Sequence, residues 1–255
     1  MFTGNPFAAL SASMSPAFMQ VYLIVMFLLV VAGTLFEVWH KGSAEYFFRN
    51  WRKAKAKGVK QLGGGDLAAI AVQTVAVDVL ASGEFCNLHR RIAHLLGMYG
   101  FVFYVLATVV MVFGYPTPAA PTPGLWSFLW WIGALMICVG GYWFWFFIRV
   151  DVAAEGNPWH RVVKADLFIL ALLATTTFAL LWSVFGGVFL FVLFIAAATV
   201  LFGTVFWSKF AHMFFKPAAA FQKRVTKADG SMENLPEIPD LSDPAVHQMY
   251  PDIPE

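Results

Sequence analysis

The sequence predicts an all-α integral membrane protein with five transmembrane helices, its N-terminus outside and its C-terminus in the cytoplasm. Three observations predict this. Of 255 residues, 60% are hydrophobic and only 13% are charged, against roughly 45–50% and about 25% in soluble domains. Five apolar stretches approach or exceed the roughly 20 residues that a helix needs to cross about 30 Å of hydrocarbon. The charged residues all fall in alternate connecting segments or at the helix ends that flank them.

Residues 1–16 hold no Lys or Arg. A cleaved signal peptide needs a basic leading segment, so the first apolar stretch, 17–39, is expected to be a retained helix. Ser15-Pro16 opens it, with proline suited to the first turn. The loop 40–91 then carries nine of the 17 basic residues. Inside it, Asp66–Ser82 is apolar but short, and it carries Asp66, Gln73 and Asp78. A mid-membrane Asp costs about 2.5–3.5 kcal/mol on insertion scales. A sixth span here would also spread the basic segments over both faces. The stretch is therefore expected to be an interfacial or partner-facing helix.

The segment Glu45–Lys57 interleaves aromatic and basic residues. That pattern fits a helix lying on anionic lipid. It also fits a docking surface for an acidic partner, formed by Arg49, Arg52, Lys53, Lys55 and Lys57. Gly63-Gly64-Gly65 reads as a hinge, since no Gly-Lys-Ser/Thr follows to make a phosphate loop.

The second helix is expected over 92–113, a Pro-rich outer loop over 114–124, and the third helix over 125–148. A cytoplasmic loop spans 149–164. The fourth helix covers 165–185, Gly186-Gly187 turns the chain, and the fifth helix covers 188–212. The remainder, 213–255, is read as a cytoplasmic tail. From Ala228 onward it has seven acids, five prolines and no Lys or Arg. Such a composition does not fold alone; the tail either stays disordered or orders on a partner. The N-terminus, the Pro-rich loop and the Gly-Gly turn carry no charge. The positive-inside rule places the charged set in the cytoplasm.

Ionisable groups in or beside the spans are the default functional candidates. They are Glu37, His40, His89, His94, His160, Asp166 and His212. His94 lies one turn inside the second helix, and His212 one turn before Lys216-Pro217 at the end of the fifth. Both should lie at similar depth near the cytoplasmic face. Two imidazoles facing each other between helices make a bis-histidine b-type haem site. Alternatively, each bonds a backbone carbonyl or a lipid headgroup. His89, His40 and His160 read as surface or interface residues. Glu37 and Asp166 are weaker candidates, as proton acceptors from a quinol or as partners of interfacial cations. Deeper on the second and fifth helices there is no further histidine pair, so at most one haem is expected.

No Ser/His/Asp set, Walker loop or zinc spacing is present, and no catalytic residue is assigned. Cys86 and Cys138 are too few for an iron–sulfur cluster, so any cluster belongs to another subunit. Nothing points to nucleic acid. A small transporter is a remoter alternative, because the midplane lacks a polar site.

RRIAHLLGMYGF (90–101), VVKADLFILALL (162–173) and WSKFAHMFFKPAAAFQKR (207–224) resemble the membrane cytochromes of the respiratory nitrate reductase gamma subunit superfamily, including heterodisulfide-reductase-like membrane subunits. In that family the histidines of the first and last stretches are associated with b-haem ligation; here they are His94 and His212. Nearly the whole chain is similar to the membrane anchor subunits of dissimilatory adenylylsulfate reductases. The stretches that carry this are MFTGNPFAALSASMSPAFMQ, YFFRNWRKAKAKG, DVLASGEFCNLHRRIAHLLGMYGF, FGYPTPAAPTPG and GGYWFWFFIRVDVAAEGNP.

The resemblance implies a multi-pass subunit of the bacterial cytoplasmic (inner) membrane. It implies a soluble flavin and iron–sulfur adenylylsulfate reductase docked on the cytoplasmic face. Electrons would pass between that enzyme and membrane quinone, menaquinone or ubiquinone, in dissimilatory sulfur metabolism. The chain would act within an oxidoreductase complex rather than as an enzyme alone. The missing second histidine pair is a departure from the superfamily. It leaves three options: one haem b, direct reduction of quinone without haem, or a passive tether.

Overall fold

A computed structural model of the chain describes residues 4–40, 42–83, 85, 87–151, 156–205, 212–233 and 235. The described residues form helices joined by turns, with no strand among them. The helices are α1 (Pro6–Leu10), α2 (Pro16–His40), α3 (Ser43–Lys57), α4 (Gly64–Gln73), α5 (Leu88–Gly114), α6 (Gly124–Trp143), α7 (Leu167–Phe185), α8 (Val188–Gly203) and α9 (His212–Ala228). α4 continues as a π-helical turn over Thr74–Leu80, and α6 as another over Phe144–Ile148.

Four helices are long and apolar enough to cross a membrane: Pro16–His40, Leu88–Gly114, Gly124–Ile148 and Leu167–Phe185. They coincide with the first four expected spans, α5 starting one turn earlier. The fifth differs. α8 ends at Gly203, and its 16 residues rise about 24 Å, short of the expected 188–212. Gly203 weakens the helix, and the Thr204 hydroxyl bonds the carbonyl of Val200 at 2.6 Å. Thr204 itself leaves helical geometry (φ −107°, ψ 27°). Residues 206–211 lie outside the described residues, and from His212 onward the chain is helical as α9. The reading of 213–255 as one tail changes too, because residues 213–228 are helical. The acidic, proline-rich composition starts where α9 stops.

α5 packs on α6, α6 on α7, and α7 on α8; α2 closes the ring against α8 and α5. The tightest seam is α5 against α6. A Cβ on Gly133 would lie 2.7 Å from the carbonyl oxygen of Gly100 and 2.7 Å from the amide of Tyr104. Glycine there lets two backbones touch, which is how apolar helices gain packing where lipid offers no hydrophobic drive. α7 turns into α8 through Gly186 and Gly187, both at positive φ (68° and 85°).

The end of the bundle where α5 stops and α6 starts is plugged by α1. Asn5 caps it, its Oδ1 accepting from the amides of Phe7 (3.0 Å) and Ala8 (3.1 Å). The Asn5 amide donates to the Tyr115 carbonyl at 2.9 Å, tying α1 to the end of α5. Phe7 is thereby buried edge-on to Trp130, with ring centroids 6.0 Å apart, and 5.7 Å from Trp182. Tyr104, Phe191 and Phe194 complete this aromatic core.

At the charged end α3, the α4–π segment and α9 form a separate layer. Trp51 of α3 stacks on Phe221 of α9 at 5.8 Å. The amides of Val59 and Lys60 both donate to the Asp229 carbonyl, at 2.8 and 3.1 Å. The expectation for Asp66–Ser82 meets a helix in this layer, packed on α9.

Candidate functional site

The first turns of α5 hold the layer to the bundle. Asn87 caps α5 by accepting from the Arg90 amide at 3.1 Å. Arg91 Nε then donates to the Ala81 carbonyl at 2.7 Å, and the Tyr99 hydroxyl to the Leu80 carbonyl at 2.8 Å. Between them, Ser82 Oγ lies 2.9 Å from His94 Nδ1. Ser82 is buried at φ 50°, a conformation that costs a non-glycine residue about 1–3 kcal/mol. The π-helical turn just before it, and the bonds from Arg91, Tyr99 and His94, hold it there.

His94 is exposed as a residue but engaged on its Nδ1 side. The Phe85 ring packs against it at 4.9 Å, and Lys216 Nζ sits 5.2 Å over Phe85. Lys216 belongs to the second turn of α9, four residues after His212. The start of α9 thus approaches the His94 corner. The side chain of His212 lies outside the described residues, so the imidazole pair is seen from one side only.

The donor chemistry at His94 fits a haem ligand. A ligating histidine usually has its second ring nitrogen fixed by a hydrogen bond, which sets ring orientation. Ser82 supplies a bond of that kind at Nδ1. Towards α1 the bundle interior is filled by Phe7, Tyr104, Trp130 and Trp182.

The two acids lie apart in character. Glu37 is buried near the C-terminal end of α2. Asp166 Oδ2 accepts from Arg149 Nη2 at 2.7 Å and from the Val163 amide at 2.9 Å. Arg149 is buried, lies 4.0 Å over the Trp145 ring, and also donates to the Arg161 carbonyl at 2.6 Å. Asp166 thereby clamps the end of α6 to the start of α7.

The five docking candidates on α3 divide. Arg49 pairs with Glu45 at 2.6 Å within α3, and Lys57 pairs with Glu233 at 2.6 Å beyond α9. Arg52 Nε donates to the Phe48 carbonyl at 3.4 Å. Lys53 and Lys55 are exposed. Exposed Tyr46 and Phe48 interleave with them.

One contact within the layer is a fork. Arg224 of α9 donates from Nη2 to Asp78 Oδ1 at 2.8 Å and from Nε to Oδ2 at 2.5 Å. The guanidinium's hydrogen bonds hold the Asp78 carboxyl below its ordinary pKa, more strongly than burial raises it. Asp78 looked like an obstacle to insertion in the sequence, and here it anchors α9.

Sequence reasoning missed two participants. Ser82 carries no motif and meets His94 only because of the π-helical turn. Arg149 reads as loop charge in the sequence, although it follows directly on the third apolar helix. His89 is exposed, as a surface residue should be, and its ring also lies 5.8 Å from Trp143, edge-on. Among the described residues no group of three or more His, Cys, Asp or Glu is placed to hold a metal ion. No protein-family model matches the chain, and no curated protein or solved structure matches it either.

Proposed function

We propose that this chain is the membrane subunit of a redox complex. It docks a soluble adenylylsulfate reductase on the cytoplasmic face and passes electrons between that enzyme and membrane quinone. The observation that carries the reading is the linked pair of structures at the charged end. A basic, aromatic layer of α3, the α4–π segment and α9 stands on the bundle, and its last turn is bonded to His94 and Arg91 of α5. A partner resting on Lys53 and Lys55 would sit over the same end.

In this reading the chain spans the membrane five times, with its N-terminus outside. α8 is the fifth span, its short length met by local thinning of the bilayer. The layer's own residues do the binding: the α3 lysines attract an acidic partner, and the Arg224–Asp78 fork keeps α9 in register beneath it. His94, oriented by Ser82, and His212 would hold a haem b, which supplies a one-electron carrier when bound. Arg149 and Asp166 hold α6 to α7 beneath the partner, so that the docking level does not splay.

A reduced-minus-oxidised spectrum of the purified protein tests the haem. A b-type band abolished by His94→Ala is expected for a haem carrier; a spectrum without the band removes the haem from the reading. The topology is tested separately by impermeant thiol reagents on intact cells carrying Ser13→Cys or Ser231→Cys. Labelling of Ser13→Cys alone is expected, whereas labelling of both or neither would mean an even number of spans.

A further inference from the structure

A cleft opens on the bundle surface where α5 begins and α6 ends, lined by Asn87, His89, Trp143, Phe147, Ile148 and Asp151. Its volume is about 190 Å³ and it is half open to its surroundings, below the roughly 300–1,000 Å³ usual for sites that enclose a whole small molecule, so it would take one ring and leave a tail outside. The cleft has a structural cause. A Cβ on Gly140 would lie 2.7 Å from the Ala93 carbonyl, so α5 and α6 touch backbone to backbone one turn above His89. Beyond Gly141 the residues of α6 become bulky, and the helix passes into the π-helical turn Phe144–Ile148. Such turns recur at functional sites. The helices part there, and His89, one turn before Ala93 on α5, faces the gap.

The walls are of two kinds. Trp143 and Phe147 give flat aromatic surface, and Phe147 is 69% exposed, towards the lipid side in the proposed topology. His89 and Asn87 bring hydrogen-bonding groups from α5, and Asp151 brings a carboxylate from beyond α6. The cleft sits where apolar spans give way to charge, between Arg90–Arg91 on one helix and Arg149 on the other. A ligand suited to it is planar, carries hydrogen-bond acceptors at its polar end, and arrives laterally from the bilayer.

We propose that this cleft seats the headgroup of a membrane quinone, with the His89 ring bonded to a quinone carbonyl and the ring system against Trp143. The inference rests on the redox reading above and gives its substrate a place. His89 and His94 lie on the same two turns of α5, five residues or about 7.5 Å of rise apart. The quinone would thus sit at the level of the docking layer, on a different face of α5 from Ser82 and Phe85.

The test uses the full chain in lipid nanodiscs with a photoreactive azido-ubiquinone, competed by decylubiquinone, and adducts mapped by mass spectrometry. Competable adducts within 87–92 and 143–151 are expected. His89→Phe, at an exposed position, should weaken decylubiquinone binding about fivefold, the scale of one lost hydrogen bond. His89→Gln should bind nearly as the unaltered chain does. Competable adducts confined to other segments, or equal binding by His89→Phe, would overturn the cleft while leaving the redox reading standing. Absence of competable labelling anywhere would overturn both the cleft and the quinone half of the proposed function.

Discussion

At the end of the bundle that α1 plugs, the outer end in the proposed topology, Phe7, Trp130 and Trp182 are buried against one another and no charged residue is present. At the charged end, α3 and α9 meet through one aromatic stack, and ion pairs fasten the remainder. The first region is held by shape: glycine seams, ring edges and a capped plug helix. The second is held by a few directional contacts and keeps exposed lysines. A region built by shape tolerates little change and offers no handle to a soluble partner. A region fastened by discrete pairs can be loosened one pair at a time, and it carries the groups a partner would recognise. In the proposed topology the contrast places rigidity outside and recognition inside.

The largest effect is expected at the seam. Gly133→Val forces backbone atoms of α5 and α6 apart and should cost about 3 kcal/mol. It should be read as a lowered thermal midpoint of the purified protein, with α5 and α6 losing protection from hydrogen exchange together. An unchanged midpoint would mean that the outer half is not held by shape.

Next comes the fork. Asp78→Asn leaves the Arg224 charge half-buried without its partner and should cost about 2 kcal/mol, less than a fully buried pair because Arg224 reaches solvent. The effect should appear as faster proteolysis within α9, with the outer half unaffected. Because the folded Asp78 carboxyl titrates below its ordinary value of 3.8, its stabilisation is fully present at neutral pH and is lost as pH falls through the lowered value. Protection of α9 should therefore be flat from about pH 7 to 5 and decline only below about pH 4. A decline near pH 6 would assign the pH response to some other group.

Charge reversal at Lys53 and Lys55 should leave stability within about 0.5 kcal/mol, as usual for exposed positions. Association with the proposed reductase partner should weaken about tenfold at low salt and much less at high salt. Smallest of all, Lys57→Ala removes an ion pair whose lysine is largely exposed and should change the stability of the layer by less than about 1 kcal/mol.

How legible each region was in the sequence follows the same division. Hydropathy located α2, α5, α6 and α7 within a turn or so, because twenty apolar residues have few alternatives. Asn5-Pro6-Phe7 carried a helix-start signal that hydropathy hid. The early end of α8 was masked because Phe206 and Trp207 keep the apolar run going past Gly203-Thr204. α9 was blurred into the tail because its basic, amphipathic composition was averaged with the acidic stretch after Ala228. The contacts at the candidate site were the least legible. Ser82 reaches His94, and Arg224 reaches Asp78, only after the chain has folded across 12 and 146 residues. The π-helical turns that bring this about leave no periodicity to read.

The most direct test of the central claim is turnover of the adenylylsulfate reductase with decylubiquinone as its only redox partner, with and without this chain in nanodiscs. The redox reading predicts electron exchange with the quinone that requires the chain and falls with the Lys53→Glu/Lys55→Glu variant at low salt. Equal turnover with and without the chain would contradict it and leave a tether.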